Sequence, residues 1–490
     1  MSSKHSYRPE RDRRAERAAR WSALLLVACG GSASAPPGPG SPSDEAAPGP
    51  DSASSGSGDP MRPSTEPSLS WAVPAGAASP ALSLKVGLDA GGGQPHVNAT
   101  GDFLIAGPQG VGSVEQRQYL PALTRRDAAG TGLWARAYTP DARLVAALED
   151  DGGTVAAGSF TGNLNLAGAE LVSFRNAAAL FGSASSQDDN YQRGERSWDI
   201  ALLRLTPQGD VAWARRFGDA GDQAVRALER TDTGEFVVAG DFQAELEMDG
   251  LRVTSSGGGV RADSFIARFD ADGNALSLWR EDPLYIDAIL SDGDGSLWIA
   301  GRVNDLSENR LWKLGADGQR QLTIDVSATG IASAARLVRG PGGSIYALYN
   351  GTEDSPLFAR SIPGAGALVR LSPAGEVEWL VPLSTDFAIA TIASDAEGNV
   401  AVAGAYRSSI DLGAGPLASA GELDVFIASF SAQGSLRYGF RFGGAGQDGI
   451  SGIAARPGGG WLVPFYLEQP ITLLEQSVPT GEHLLWIDER

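Results

Sequence analysis

From about residue 68 onward the apolar residues come in short bursts, each introduced by a polar, glycine-bearing turn. The segments "NATGDFLIAG", "DDGGTVAAG", "TDTGEFVVAG", "SDGDGSLWIAG", "GPGGSIYALY", "DAEGNVAVAG" and "RPGGGWLVPF" repeat one pattern, a tight turn followed by a short apolar strand. Another short strand precedes each turn, so the predicted unit is a β-hairpin with a left-handed glycine at its tip. The turn glycines are Gly101, Gly153, Gly234, Gly295, Gly343, Gly398 and Gly459, seven in all, at intervals of 48 to 81 residues.

A second hairpin alternates with the first: "PALTRRDAAGTGLWARAY", "IALLRLTPQGDVAWARRF", "SFIARFDADGNALSLWR", "LWKLGADGQRQLTID", "ALVRLSPAGEVEWLVPL" and "FIASFSAQGSLRYGFRF". Its turn glycines are Gly130, Gly209, Gly273, Gly318, Gly375 and Gly434, which makes six. The seventh set ends in the single strand "HLLWIDER", so its partner must come from the other end of the folded body. "SLSWAVP" around Trp71 matches the outer-strand pattern around Trp213 and Trp379 and is the first choice; "ALSLKV" at 81–86 is the rival. Four strands in each of seven units, with the last unit shared between the termini, predict a closed ring, because closure removes unpaired sheet edges. The expected fold is all-β: a seven-bladed β-propeller of four-stranded blades over 68–490, its last blade closed by N- and C-terminal strands.

"DAEGNVAVAGAYRSSIDLGAG" followed by "DVFIASFSAQGSLRYGFRFGGAGQDGISGIA" resembles the bacterial β-propeller repeat of the SBBP type. The resemblance is strongest at 199–274 and 394–460 and weakest at 302–366, where Tyr349 replaces the glycine after the second strand. It implies a propeller in an exported protein and carries over no catalytic residue.

Composition changes the picture mainly at the N-terminus. Residues 1–28 run from a basic segment through a short apolar one into "LVACGG", where Cys29 is the only cysteine of the chain. That order resembles a bacterial lipoprotein signal with Cys29 as the lipid-modified residue. A sole cysteine cannot join an intramolecular disulfide. Residues 29–67 are Gly, Ser, Pro and Ala with scattered acids, a composition expected to form a disordered tether. No apolar run is long enough to span a bilayer. The formal charge is −20 and no basic stripe is interleaved with aromatics, which disfavours a nucleic-acid partner.

Candidate chemistry is sparse. "SDGDGS" occupies the same turn as "TDTGEF" and "DAEGNV", which lack the alternating acids of a calcium loop, so it reads as a turn between strands. "GAGQDG" at 444–449 precedes a strand and lacks the helix N-terminus that holds a pyrophosphate. The three histidines are His5 in the leader, His96 in an expected turn and His483 at a strand start, which leaves little for a triad or a zinc site. Trp134, Trp213 and Trp379 share a position that Leu322 and Tyr438 also fill, an interchange that points to packing. One constellation remains. Asp89, Asp141, Asp222, Asp282, Asp386 and Asp448 precede the innermost strands of six blades, and blade five breaks the pattern with Ile331. Asp199, Asp263 and Asp424 precede third strands on the same face. These carboxylates either accept backbone N–H groups in tight connections or form an acidic funnel that takes a divalent cation such as Ca2+. The longest connection, about 174–197, opens on this face too, as a binding loop or as an insertion without order.

The expectation is therefore a lipid-anchored, exported and monomeric propeller, at the outer membrane or cell surface, acting as a binding scaffold for a protein or glycan. A carbohydrate-active lyase or glycosidase using the channel-mouth carboxylates, and a purely structural envelope module, stay open as alternatives.

Overall fold

The computed structural model describes residues 69–72, 74, 80–85, 95–111, 118–149, 151–174, 197–219, 221–256, 262–281, 285–303, 308–327, 333–350, 357–358, 360, 366–383 and 387–489. The leader, Cys29, the 29–67 tether and most of the 174–197 connection lie outside them. Seven antiparallel sheets carry the fold, and in the first five the chain runs from an inner strand outward through four strands. Blade two is typical: Ala142–Leu148, Thr154–Phe160, Asp199–Leu205 and Val211–Phe217. The protein is a seven-bladed β-propeller. Among the described residues its one helical element is the 3₁₀ turn Pro341–Gly343, and no helix is long and apolar enough to cross a membrane.

The hydrophobic pattern follows from position in the blade. Middle strands such as Thr154–Phe160, Phe236–Phe242, Asp263–Phe269 and Asp424–Phe430 are buried along their whole length. Each is covered on both faces by neighbouring blades, so its apolar run is nearly continuous. Outer strands such as Val211–Phe217 are only partly covered and mix polar with apolar residues. The outer hairpins close with a left-handed glycine, for example Gly209 at φ +81°, whose N–H donates to Thr206 O at 2.8 Å. A register shift precedes that turn in each of six blades, as expected where one extra residue is accommodated beside the turn. In the inner hairpin of blade two the left-handed residue is Gly152 at φ +83°, one position before the expected Gly153.

Blade seven is shared between the ends of the chain, but its outer strand is Ala81–Lys85, paired with Gly481–Asp488. The expected donor, Leu69–Ala72, instead pairs with Leu436–Phe442 as a fifth strand on blade six. The tryptophan match assigned this strand to the wrong blade, and the rival segment at 81–86 supplies the outer strand of blade seven. The connections between second and third strands are also more regular than expected. In blades two, three, six and seven each contains a short hairpin, such as Asn163–Leu166 with Ala169–Val172 and Glu245–Met248 with Leu251–Thr254. The buried sides of these two hairpins are Leu164 and Leu166, and Leu246 and Met248.

"SDGDGS" is the turn between Tyr285–Ser291 and Leu297–Val303, closed by Asp292 N–H donating to Ser296 O at 2.8 Å. Asp292 Oδ2 meets Lys313 Nζ at 2.8 Å, and Asp294 Oδ1 accepts Ser296 N–H at 2.9 Å. Both carboxylates are engaged by protein donors.

Candidate functional site

The third-strand aspartates face into the blades. Asp199, Asp263 and Asp424 are at most 1% exposed. Each takes an N–H from the loop that precedes it: Phe174 to Asp199 and Ser256 to Asp263 at 2.6 Å, Ala420 to Asp424 at 2.7 Å. Each also meets an arginine on the outer strand of its own blade, Arg216 at 2.7 Å, Arg280 at 3.8 Å and Arg441 at 3.1 Å. Burial pushes Asp199 and Asp424 above the usual carboxylate range, against the pull of these arginines and N–H groups. Their geometry is that of loop closure.

The aspartates expected before the inner strands divide. Asp141 is exposed, and Asp222 is half-buried and accepts Trp198 N–H at 3.2 Å. Asp448 is 1% exposed and accepts Gly444 N–H at 2.7 Å and Glu468 N–H at 3.1 Å. Aligning Gly443 with Gly218 places Asp448 opposite Gln223, also buried, and places Gln447 opposite Asp222. Asp448 therefore belongs to an inner position and not to the rim. Asp89, Asp282 and Asp386 lie outside the described residues. Among the described members, Asp424 and Asp448 come together, and they do so away from solvent.

The loop-bearing face presents a different group, at the ends of blades three and four. Arg226 Nε donates to Asp241 Oδ2 at 2.7 Å and Arg226 Nη2 to Tyr285 Oη at 2.7 Å. Arg302 grips Asp287, with Nη2 to Oδ1 at 2.8 Å. The ring of Tyr285 lies between the two guanidinium groups, 4.8 Å from that of Arg226 and 5.3 Å from that of Arg302, and remains 37% exposed. Cation–π contact and hydrogen bonding hold this phenol rigidly at the surface. Burial raises Asp287 to about 6 despite Arg302, and raises Asp241 despite Arg226. On blade two, Arg143 stands over Trp198 at 6.0 Å and Arg216 over Phe174 at 6.0 Å, with Phe174 56% exposed. Sequence reasoning missed this set. A signal was present: the residue after the second-strand glycine is Ser159, Asp241, Arg302 or Ala405, a charge-varying position at one end of otherwise uniform strands.

His96 is in the inner strand His96–Val97 of blade one and not in a turn; burial, with Arg336 next, pushes its pKa down to about 4. His483 lies within the strand Gly481–Asp488, its Nε2 at 2.8 Å from Pro479 O. On the face opposite the loops, a cavity of about 250 Å³ between blades four and five is lined by residues including Ser291, Asp292, Trp298 and Arg339. Arg339 is already held there by Asp232 at 2.7 Å and by Ser291 O at 2.8 Å.

No protein-family model and no curated protein matches the chain. Among solved structures it is similar to the Dos1 propeller, with 10% identity over 83% of this chain and 96% of that one and a TM-score of 0.42. It is also similar to the C-terminal WD40 domain of Sif2, with 9% identity over 83% and 99% of the two chains and a TM-score of 0.42. A third is the β-propeller domain of the Trilobed protease from Pyrococcus furiosus, with 8% identity over 84% and 94% and a TM-score of 0.41. The blade count and strand order above come from this chain's own sheets.

Proposed function

We propose that this chain is an exported propeller, tethered to a bacterial membrane or cell surface by a lipid on Cys29, that binds a protein partner through the loop-bearing face of blades two to four. The observation that carries the binding reading is Tyr285, held between Arg226 and Arg302 and left open to solvent. Rigid aromatic and arginine side chains at a loop-bearing rim are the residue types that dominate binding energy at protein interfaces. They lose little conformational freedom when a partner covers them. Phe174 and Trp198 extend the surface toward the long connection of blade two. The SBBP-type resemblance and the "LVACGG" junction support export and anchoring.

The test is quantitative. Partners captured from envelope extracts are purified and titrated against the wild type, Tyr285→Ala and Phe174→Ala. The expected result is at least a tenfold loss of affinity for Tyr285→Ala, about 1.4 kcal/mol, with an unchanged melting temperature. Equal affinity of all three proteins would refute the site. Binding to a glycan array with no protein partner would replace the protein reading by a glycan one.

A further inference from the structure

The seam between blades six and seven contains two buried carboxyl groups that face each other. Asp424 begins the third strand of blade six and is 0% exposed; Asp448 precedes the inner strand of blade seven and is 1% exposed. Asp424 Oδ2 accepts Ala420 N–H at 2.7 Å and Arg441 Nη1 at 3.1 Å, while its Oδ1 has no hydrogen-bond partner. Between the two stands Gly443. A β-carbon there would lie 2.3 Å from Asp424 Oδ1 and 2.8 Å from Asp448 Oδ2, so both oxygens border the one small space over the glycine α-carbon. An unpaired buried acceptor is expensive, and two like charges at this approach are more so.

The seam between blades two and three shows what this arrangement requires. There Asp199 stands in the place of Asp424, Gly218 in that of Gly443, and Gln223 in that of Asp448. A β-carbon at Gly218 would lie 2.5 Å from Gln223 Oε1 and 3.1 Å from Asp199 Oδ1. Oε1 lacks a partner as oriented, and turning the amide over presents its NH₂ to Asp199, in exchange for the 3.3 Å bond to Asp219. A neutral donor is thus the natural complement of the buried aspartate. A carboxyl group can take that role only with a proton on it.

We propose that in mildly acidic medium Asp448 of the folded protein is protonated and donates its O–H to Asp424 Oδ1, so that a shared proton closes the seam between blade six and the split blade seven. The charges around the pair agree with this. Arg441 on the outer strand of blade six supplies one positive charge against Asp424 and Asp448. Glu468 at the end of the second strand of blade seven and Glu422 before Asp424 add negative charge, each accepting from Gln447. Burial, and then the charge of Asp424, push the pKa of Tyr406 on the second strand of blade six up, which keeps its phenol protonated. One proton on Asp448 reduces the excess negative charge. Burial first, then the charges of Asp424 and Glu468, raise Asp448 to about 6 against its two N–H donors.

The sign follows. Unfolded Asp448 releases its proton near pH 4, whereas the folded protein keeps it to about 6. The stability from this site is fully present below the unfolded value and is lost as pH rises through the folded one. Above it, two carboxylates oppose each other beside the Leu423–Gln447 bridge, where Asp448 N–H donates to Leu423 O at 2.9 Å. The closing seam is weakest in alkaline medium.

The experiment compares melting temperatures of the wild type, Asp448→Asn and Asp448→Gln between about pH 4.5 and 8, with and without CaCl₂. Expected are amide variants more stable than the wild type at the alkaline end, with a flatter pH dependence. Infrared spectra of the wild type at the acid end should show a buried protonated carboxyl band that Asp448→Asn lacks. Amide variants less stable than the wild type at every pH, or unable to fold, would overturn the proposal, because a neutral donor would then fail to replace the carboxyl. Absence of the protonated band would do the same. A calcium-induced rise in the wild type that Asp448→Asn abolishes would also overturn it, showing a metal ion where the proton is placed.

Discussion

Trp213, on the outer strand of blade two, lies flat against Gly273, the outer-hairpin turn of blade three: a β-carbon on that glycine would come within 2.7 Å of the indole ring. The indole Nε1 donates to Ala271 O in the same turn at 3.3 Å. The relationship recurs around the ring. Trp134 covers Gly209 and bonds Pro207 O at 2.9 Å, and Trp379 covers Gly434 and bonds Ala432 O at 3.0 Å. Trp279 covers Gly318, and Leu322 with Ile324 covers Gly375. Each of blades one to five lays an apolar side chain from its outer strand onto the next blade's turn, which is the packing role expected from the interchange of Trp and Leu.

Gly273 therefore carries two constraints, a left-handed backbone at φ +77° and no room for a side chain. Gly250, at φ +86° with nothing within 4 Å of its would-be β-carbon, carries only the first. Gly250→Ala should cost about 1–2 kcal/mol of backbone strain. Gly273→Ala should cost a further ~1–3 kcal/mol for displacing the ring of Trp213. Urea denaturation of both variants checks this; equal losses would show that the indole moves aside freely.

The turn glycines and the apolar runs between them were sufficient to count the blades and to infer a ring, because a left-handed turn admits little but glycine and a doubly covered strand admits little but apolar residues. The closing strand was not decided by those rules. Trp71 carries the outer-strand pattern, and that pattern specifies a strand's place within a blade and not which blade it joins. The aspartate count failed at Asp448 for a related reason: measured from the turn glycine, a one-residue difference moves a side chain from the rim to the interior. A cation five residues before the outer-turn glycine is a further regularity of the sequence. It is Arg125, Arg204, Arg268, Lys313 and Arg370, with Ser429 in blade six.

The four arginines of that series form a second chain of interblade contacts, while Lys313 pairs with Asp292 of its own blade. Arg125 Nη1 donates to Gly152 O at 2.7 Å and to Pro207 O at 3.0 Å, both in blade two, while its Nη2 pairs with Asp102 at 2.7 Å. Pro207 O thus receives the indole of Trp134 and the guanidinium of Arg125 together. Arg125→Met keeps the apolar stem but strands a carboxylate and leaves the Gly152 carbonyl without this donor, and should cost about 3 kcal/mol. Arg252→Met, whose ion pair with Glu245 is exposed on the short hairpin of blade three, serves as the comparison and should cost well under that. A similar melting temperature for both variants would contradict the buried staple.

Anchoring is tested separately from binding. Cys29→Ser should move the protein from the membrane fraction to the soluble fraction of the exported pool, since no described helix can hold it in a bilayer. Mass spectrometry of the wild type should find a lipid-modified Cys29 as its first residue. An unmodified Cys29, or a variant that still sediments with membranes, would remove the lipid anchor from the proposal.

The two N-terminal strands offer the sharpest test of ring closure, because they look alike in sequence and differ in what they cover. Ala81–Lys85 pairs with Gly481–Asp488, a strand whose His483, Leu484, Leu485, Trp486 and Ile487 are buried. Removing it would expose an interior strand of blade seven as an apolar edge, a site for aggregation as well as a loss of stability. Leu69–Ala72 adds a fifth strand to blade six, so its removal leaves a four-stranded blade ending in Leu436–Phe442, as the other blades end in their own outer strands. Deleting 81–85 should therefore lower the melting temperature far more than deleting 69–72, and only the first variant should aggregate on mild heating. Comparable losses, or a greater loss from removing 69–72, would mean that the tryptophan-bearing strand and not its neighbour closes the ring.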